Sequence, residues 1–179
     1  IGPSHNGMGA TGWGSFTAGA YNRASGNGAF VGGFHNVAGP TGSDTTTING
    51  GSIGQTAFGY GTQATGNASF SAGEGTEASG SHAVVFGKNT IASGDYSIAL
   101  GSSTTASGNY STSLGKSTTA SGSQSTAFGE SSTASGYASL STGRSNTASG
   151  YNSTAMGRSS TASGYYSTVI GYNATASDY

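Results

Sequence analysis

From Thr104 to Gly129 the chain reads TTASGNYSTSLGKSTTASGSQSTAFG, a phrase that returns to Ala-Ser-Gly, then Ser, then Gly every fourteen residues. With the alanine of Ala-Ser-Gly as position 1, that alanine recurs at Ala64, Ala78, Ala92, Ala106, Ala120, Ala134, Ala148, Ala162 and Ala176. A glycine at position 10 follows at Gly73, Gly87, Gly101, Gly115, Gly129, Gly143, Gly157 and Gly171. Ala10, Ala24 and Ala38 keep the same step upstream, as do Gly19 and Gly33. From Gly33 to Gly59 the step is one period plus twelve residues, which marks a single insertion at about 39–51, GPTGSDTTTINGG.

A fourteen-residue unit is too short for two packed helices, and these units lack a 3.6-residue apolar rhythm. Ser and Thr fill the frame and two glycines punctuate it, which is strand and turn chemistry. Glycines at positions 3 and 10 are expected to supply the positive φ of tight corners. Two short strands per unit, stacked in register, predict an all-β parallel solenoid or roll. At about 4.8 Å per coil, about twelve coils make a rod roughly 60 Å long.

Residues at positions 6–9 predict a strand with one slim face and one bulky face. Positions 6 and 8 are small, as in Ser97/Ala99 and Ser125/Ala127. Positions 7 and 9 carry Phe70, Val84, Phe86, Ile98, Leu100, Leu114, Phe128, Leu140, Met156 and Ile170, with Phe16, Phe30 and Phe58 before them. Alternate strand residues face opposite ways. The small residues therefore fill the narrow interior, and the large ones must be covered from outside. A continuous apolar ridge of this kind suits a closed cyclic oligomer.

Composition agrees with a repeat scaffold and argues against an ordinary two-layer domain. The chain has 179 residues, 34 of them glycine, with 6% charged and a net charge of −1. Only 21 are Leu, Ile, Val or Phe, below the share that builds a usual core. So small a net charge gives no footprint for nucleic acid or an anionic membrane surface. Without cysteine, disulfides, zinc knuckles and thiol catalysis are excluded. No apolar run reaches the roughly 18 residues that cross a bilayer, and IGPSHNGMGA does not resemble a signal peptide. Any parts that export or anchor the protein are expected outside this segment.

The unit G-x-x-x-x-A-S-G-x-x-S-x-A-x-G, seen in GSSTTASGNYSTSLG and GESSTASGYASLSTG, closely resembles the YadA-like head repeats of trimeric autotransporter adhesins. The resemblance covers nearly the whole chain outside the insertion and the first few residues. It implies a single head domain over 1–179, built as a left-handed parallel β-roll and assembled as a homotrimer around the apolar side of one strand. It further implies a non-catalytic adhesin on the bacterial cell surface, projecting from the outer membrane on a stalk and anchor not contained in this segment. Its partners would be host extracellular-matrix proteins or cell-surface receptors, and self-agglutination would be a further role. A trimeric phage or appendage fibre shares the architecture and is the first alternative, and an ice-binding β-solenoid is the second.

Candidate chemistry is sparse. His5, His35 and His82 fall at different positions of the unit, so stacking does not bring them together, and no metal or cofactor is expected. Glu74 and Glu77 share a coil but do not face each other across a cleft, as glycosidase carboxylates must. Position 11 collects Glu74, Lys88, Lys116, Glu130, Arg144 and Arg158 into a mixed-sign stripe, either a solvated edge or a docking strip. Positions 4 and 5 collect Tyr96, Tyr110, Tyr137, Tyr151, Tyr165 and Tyr166. Exposed tyrosine is a favoured anchor for protein and sugar contacts, which makes this corner the candidate ligand surface. Ser-x-Thr at positions 12 and 14, from Ser103/Thr105 to Ser159/Thr161, forms a hydroxyl–methyl lattice like that of ice-binding solenoids. The insertion, with Pro40 among its glycines, is expected to leave the roll as a loop that lends specificity.

Overall fold

The computed structural model describes residues 9–39 and 53–177. Within them every coil has one five-residue strand and one two-residue strand, as in Ile98–Ser102 and Thr105–Ala106. The long strands stack into an 11-stranded parallel sheet and the short ones into a 12-stranded parallel sheet, each strictly in coil order. Register is fourteen residues, as Leu100 pairs with Leu114, Leu114 with Phe128, and Thr105 with Thr119, except across the insertion, where Phe30 pairs with Thr56, 26 residues on. The solenoid expected from the repeat is thus present, though its strands are placed differently. The long strand spans positions 7–11 rather than 6–9, and the second strand is only positions 14 and 1.

Each coil is tied to the next along the rod axis. Ser107 and Gly108 both donate their N–H to the Ala120 carbonyl, at 2.9 and 3.3 Å. Tyr110 donates to Asp95 O at 2.8 Å, and Ser117 to Ser102 O at 2.8 Å. Within a coil, the chain reverses over positions 3–6, closed by Ser111 N–H to Gly108 O at 3.1 Å.

The corners differ from expectation in which residues turn them. Left-handed φ is adopted at positions 5 and 12 by non-glycine residues, among them Tyr96 (57°), Tyr110 (59°), Ser103 (56°) and Ser117 (53°). Position 10, as at Gly101 with φ 131°, has the expected positive φ but lies inside the long strand. Position 3 is required to be glycine for a different reason. Gly108 is not in the left-handed region, but a Cβ there would sit 2.1 Å from the carbonyl oxygen of Gly122. Close approach between successive coils, rather than φ, excludes a side chain at that position.

The interior is slim and partly polar. Position 1 is a fully buried alanine in every coil from Ala24 to Ala162, and position 8 supplies Val31, Val85, Ala99, Ala127 and Ala155. From Asn22 to Ser160 position 13 points inward as Thr, Ser or Asn, and several of these side chains bond the backbone where the corner turns, as Thr90 does to Lys88 O at 3.1 Å and Gly101 O at 3.3 Å. Ser71 and Thr76 hydroxyls meet at 2.8 Å, as do those of Ser113 and Thr118. Not every buried polar atom is satisfied: the Thr104, Ser111, Ser125 and Ser153 hydroxyls have no partner among the described residues, and neither amide atom of the fully buried Gln55 has one; nothing in the structure explains Gln55.

Asn36 shows how the ladder passes the insertion. Its Nδ2 donates to Gly32 O and Gly59 O, both at 2.8 Å. Its Oδ1 accepts from the N–H and hydroxyl of Thr62, both at 2.8 Å, across 26 residues of sequence. Val37 and Ala38 then pair with Gln63 and Ala64, so no rung is lost. Apart from Gly39, the inserted segment lies outside the described residues, as does His5. Because four hydrogen bonds converge on one buried amide, Asn36→Ala is expected to cost about 3 kcal/mol. Thermal unfolding followed by circular dichroism should show a midpoint lower by about 6–12 °C.

Candidate functional site

Strand alternation sorts the side chains of positions 6–9 as the pattern requires. Ser97, Ala99, Ser125 and Ala127 are buried, whereas the large residues of positions 7 and 9 point out of the tube. Phe86 is 61% exposed, Phe128 52% and Ile170 70%. Phe70, Val84, Leu100, Leu114, Leu140 and Met156 are half-buried by their neighbours along the column, and Ile98 is just exposed. None of them folds back into its own coil.

This face has a regularity that individual positions do not reveal. Where position 7 is large, position 9 is often small, as in Phe16/Ala18, Phe30/Gly32, Phe70/Ala72 and Leu140/Thr142. Where position 7 is Thr, position 9 is large, as in Thr126/Phe128, Thr154/Met156 and Thr168/Ile170. The Phe58 ring lies over Gly32, where a Cβ would stand 2.9 Å from it. Phe16, Phe30, Phe58 and Phe70 follow one another at centroid distances of 4.9, 5.3 and 6.3 Å. Val84/Phe86 and Ile98/Leu100 are large at both positions, so every long strand carries at least one large apolar side chain and the strip runs unbroken along the rod.

At the corner of positions 4 and 5 the predicted tyrosines form two stacks. His82, Tyr96 and Tyr110 are parallel, with centroids 4.7 and 5.1 Å apart. Tyr137 and Tyr151 stack at 5.1 Å, Tyr151 and Tyr165 at 6.0 Å, and Tyr166 meets Tyr151 edge-on at 5.8 Å. All six tyrosines are exposed. Side chains at position 4 fasten this corner: Asp95 Oδ1 accepts Ser81 N–H at 2.9 Å, and Asn109 Oδ1 accepts Asp95 N–H at 3.1 Å. Trp13, 86% exposed, stands at position 4 counted from Ala10. It belongs to the same corner, and counting the repeat back to the first alanine would have found it.

The charged stripe at position 11 pairs largely with itself. Lys88 reaches Glu74 at 3.0 Å, and Glu130 is held between Lys116 at 3.2 Å and Arg144 at 3.5 Å. Arg158 lies over the Tyr172 ring at 5.6 Å. These contacts are exposed, and each contributes well under about 1 kcal/mol. In the N-terminal coils the same edge is aromatic instead, with Tyr21, Phe34, His35 and Tyr60 in contact at 4.7–5.6 Å. On the short-strand face, Thr105, Thr119, Thr133, Thr147 and Thr161 stand in register. That column begins only above Ile91, Glu77 and Gln63. Among the described residues there is no group of three or more His, Asp or Glu that could hold a metal ion.

Comparison with known proteins identifies the repeat. A family model described as the YadA head domain repeat, two copies long, matches residues 78–104, 92–118, 106–129, 120–146 and 148–174. Together these stretches span more than half of the chain. A search of curated proteins finds no match.

Proposed function

Since the chain belongs to the family of YadA head repeats, the β-solenoid heads of trimeric autotransporter adhesins, we propose that it is a non-catalytic adhesin head. Three left-handed copies pack their long-strand faces together, burying Phe70, Val84, Phe86, Ile98, Leu100, Leu114, Phe128, Leu140, Met156 and Ile170 around a shared axis. The head stands on the bacterial cell surface, projecting from the outer membrane. It attaches the cell to host extracellular-matrix proteins or to receptors on host cells.

One observation carries the reading: the unbroken apolar strip of positions 7 and 9, with at least one large side chain on every long strand. A strip that continues rung after rung suits a partner that is equally continuous. A second and third copy of the same rod supply that partner with rungs at the same spacing. With that face occupied, the tyrosine corner is left for ligand contact, repeated along each rod and three times around the axis. Weak contacts at many coils then add by effective concentration rather than by individual strength.

The experiment uses the chain fused to a trimeric coiled coil and an array of collagen, fibronectin and laminin. The trimer should retain at least one of these about 100-fold more strongly than a monomeric, unfused Phe128→Asp chain does. Changing Tyr96, Tyr110, Tyr137, Tyr151, Tyr165 and Tyr166 together to Ser should abolish retention with the trimer intact. Undiminished binding by that variant removes the tyrosine corner from the site.

A further inference from the structure

The stripe at position 11 is complementary to itself when turned end for end. From Glu74 to Arg144 it holds one residue per rung, in register and in the order Glu74, Lys88, Ser102, Lys116, Glu130, Arg144. Tyr60 and Phe34 continue it below, Arg158 and Tyr172 above. Two such stripes can be laid antiparallel about a twofold axis that passes between the rungs of Ser102 and Lys116. Glu74 then faces the partner's Arg144 and Lys88 faces the partner's Glu130, and the axis repeats both contacts. Ser102 faces the partner's Lys116, Tyr60 the partner's Arg158 and Phe34 the partner's Tyr172. No like charges meet. Cation against tyrosine and ring against ring are favourable contacts at the two ends.

Neighbouring alignments fail. One rung off in one direction, Glu74 faces Glu130 and Lys88 faces Lys116. One rung off in the other, Lys88 faces Arg144 and Lys116 faces itself. A parallel alignment in register sets every charge on its own kind. Staggered by one rung, it faces Arg144 with Arg158 and does not close. Opposed like charges are penalised, so the pattern fixes direction and register together. The stripe is also free to be met. The side chains of Glu74, Lys88, Lys116 and Arg144 are more than half exposed, as are Tyr60 and Tyr172. Each charge already has a contact within its own rod, Lys88 with Glu74 and both Lys116 and Arg144 with Glu130. In the antiparallel pair the Glu74–Lys88 couple meets the Arg144–Glu130 couple in opposite order. Every carboxylate gains a further cation, and no existing contact has to break.

We propose that position 11 is a docking surface for a second copy of this chain, laid antiparallel with Lys88 against the partner's Glu130 and Glu74 against the partner's Arg144. The six central rungs span about 24 Å. Single exposed ion pairs contribute little, so the pairing is weak for two lone rods and builds up where many rods are crowded on facing surfaces. It goes beyond the adhesin reading and uses neither the tyrosine corner nor the columns of positions 7 and 9.

Two measurements on the full chain test this. In the first, isotope-labelled and unlabelled chains are mixed and joined by a zero-length carbodiimide cross-linker. Within one rod Lys88 and Glu130 stand three rungs apart, about 14 Å, beyond the reach of such a bond. A Lys88–Glu130 link between a labelled and an unlabelled peptide therefore marks the antiparallel pair. It should form at low salt and fall at least tenfold in about 0.5 M salt, which screens exposed charges. In the second, soluble chain is passed over a surface bearing chain. Lys88→Glu over itself and Glu130→Lys over itself each set like charges opposite and should lose retention at least tenfold. Lys88→Glu over Glu130→Lys restores every opposite pair and should recover retention to within about threefold of the wild type. Interchain Lys88–Glu74 links in place of Lys88–Glu130, full self-retention by either variant, no recovery on mixing, or no self-retention by the wild type each overturns the proposal. The trimer is read as mass and the pair as this link, so the failure of one is distinct from the failure of the other.

Discussion

Gly101→Ala is expected to abolish the folded rod around its coil. The glycine has φ 131°, where an alanine is strained by on the order of 1–3 kcal/mol. Its Cβ would also stand 1.9 Å from the carbonyl oxygen of Gly115 and 2.8 Å from its carbonyl carbon. Both atoms are backbone, so no side chain can swing away. Relief requires the two coils to part, and with them the ladder hydrogen bonds on either side. Limited proteolysis should therefore cut near residue 101 in the variant and not in the parent. Gly28→Ala is the matched control: φ is +66° and nothing lies within 4 Å of its Cβ, so about 1–2 kcal/mol is expected. If the two variants resist protease and heat equally, close approach between coils is not what excludes a side chain at position 10.

Phe128→Asp should convert the proposed trimer to monomers. The ring is 52% exposed in a single chain and stands between Leu114 and Thr142 on the long-strand face. In the trimer three such rings face the axis, and three carboxylates there would be desolvated together, at several kcal/mol per ion. Light scattering on the unfused chain should show a threefold fall in mass, with the circular dichroism spectrum unchanged. Ser131→Asp, on an exposed corner at position 12, should leave the mass as it was. A Phe128→Asp chain that stays trimeric would place the axis on another face.

Much of this architecture is legible in one dimension because a repeat reports its own register. Once Ala106 and Ala120 are seen to be equivalent, strand pairing follows without further information, and period-two alternation separates Ala127 from Phe128. The strand limits were less legible. Position 10 glycine looks like a corner residue because positive φ and turns usually coincide, yet Gly101 lies inside the long strand. The true left-handed corners at positions 5 and 12 carry Tyr110 and Ser117, residues whose own preferences point elsewhere. Their N–H groups donate to Asp95 and Ser102 on the previous coil, and that tertiary bond overrides the local preference. Asn36 was equally hidden. Nothing near it in sequence announces Thr62 as its partner, because the insertion separates them in the chain while the ladder keeps them adjacent. The unbroken apolar strip of positions 7 and 9 was present in the letters, but it is visible only when the two columns are read as pairs.

The direction of the bonds between coils has a mechanical consequence. Because they run parallel to the long axis, a pull applied at the two ends loads them in tension, one rung after another, rather than in shear. Each turn released pays out about 45 Å of slack chain while leaving the turns beyond it wound. A rod pulled from its ends therefore yields in small steps, which spreads a sudden jerk over distance.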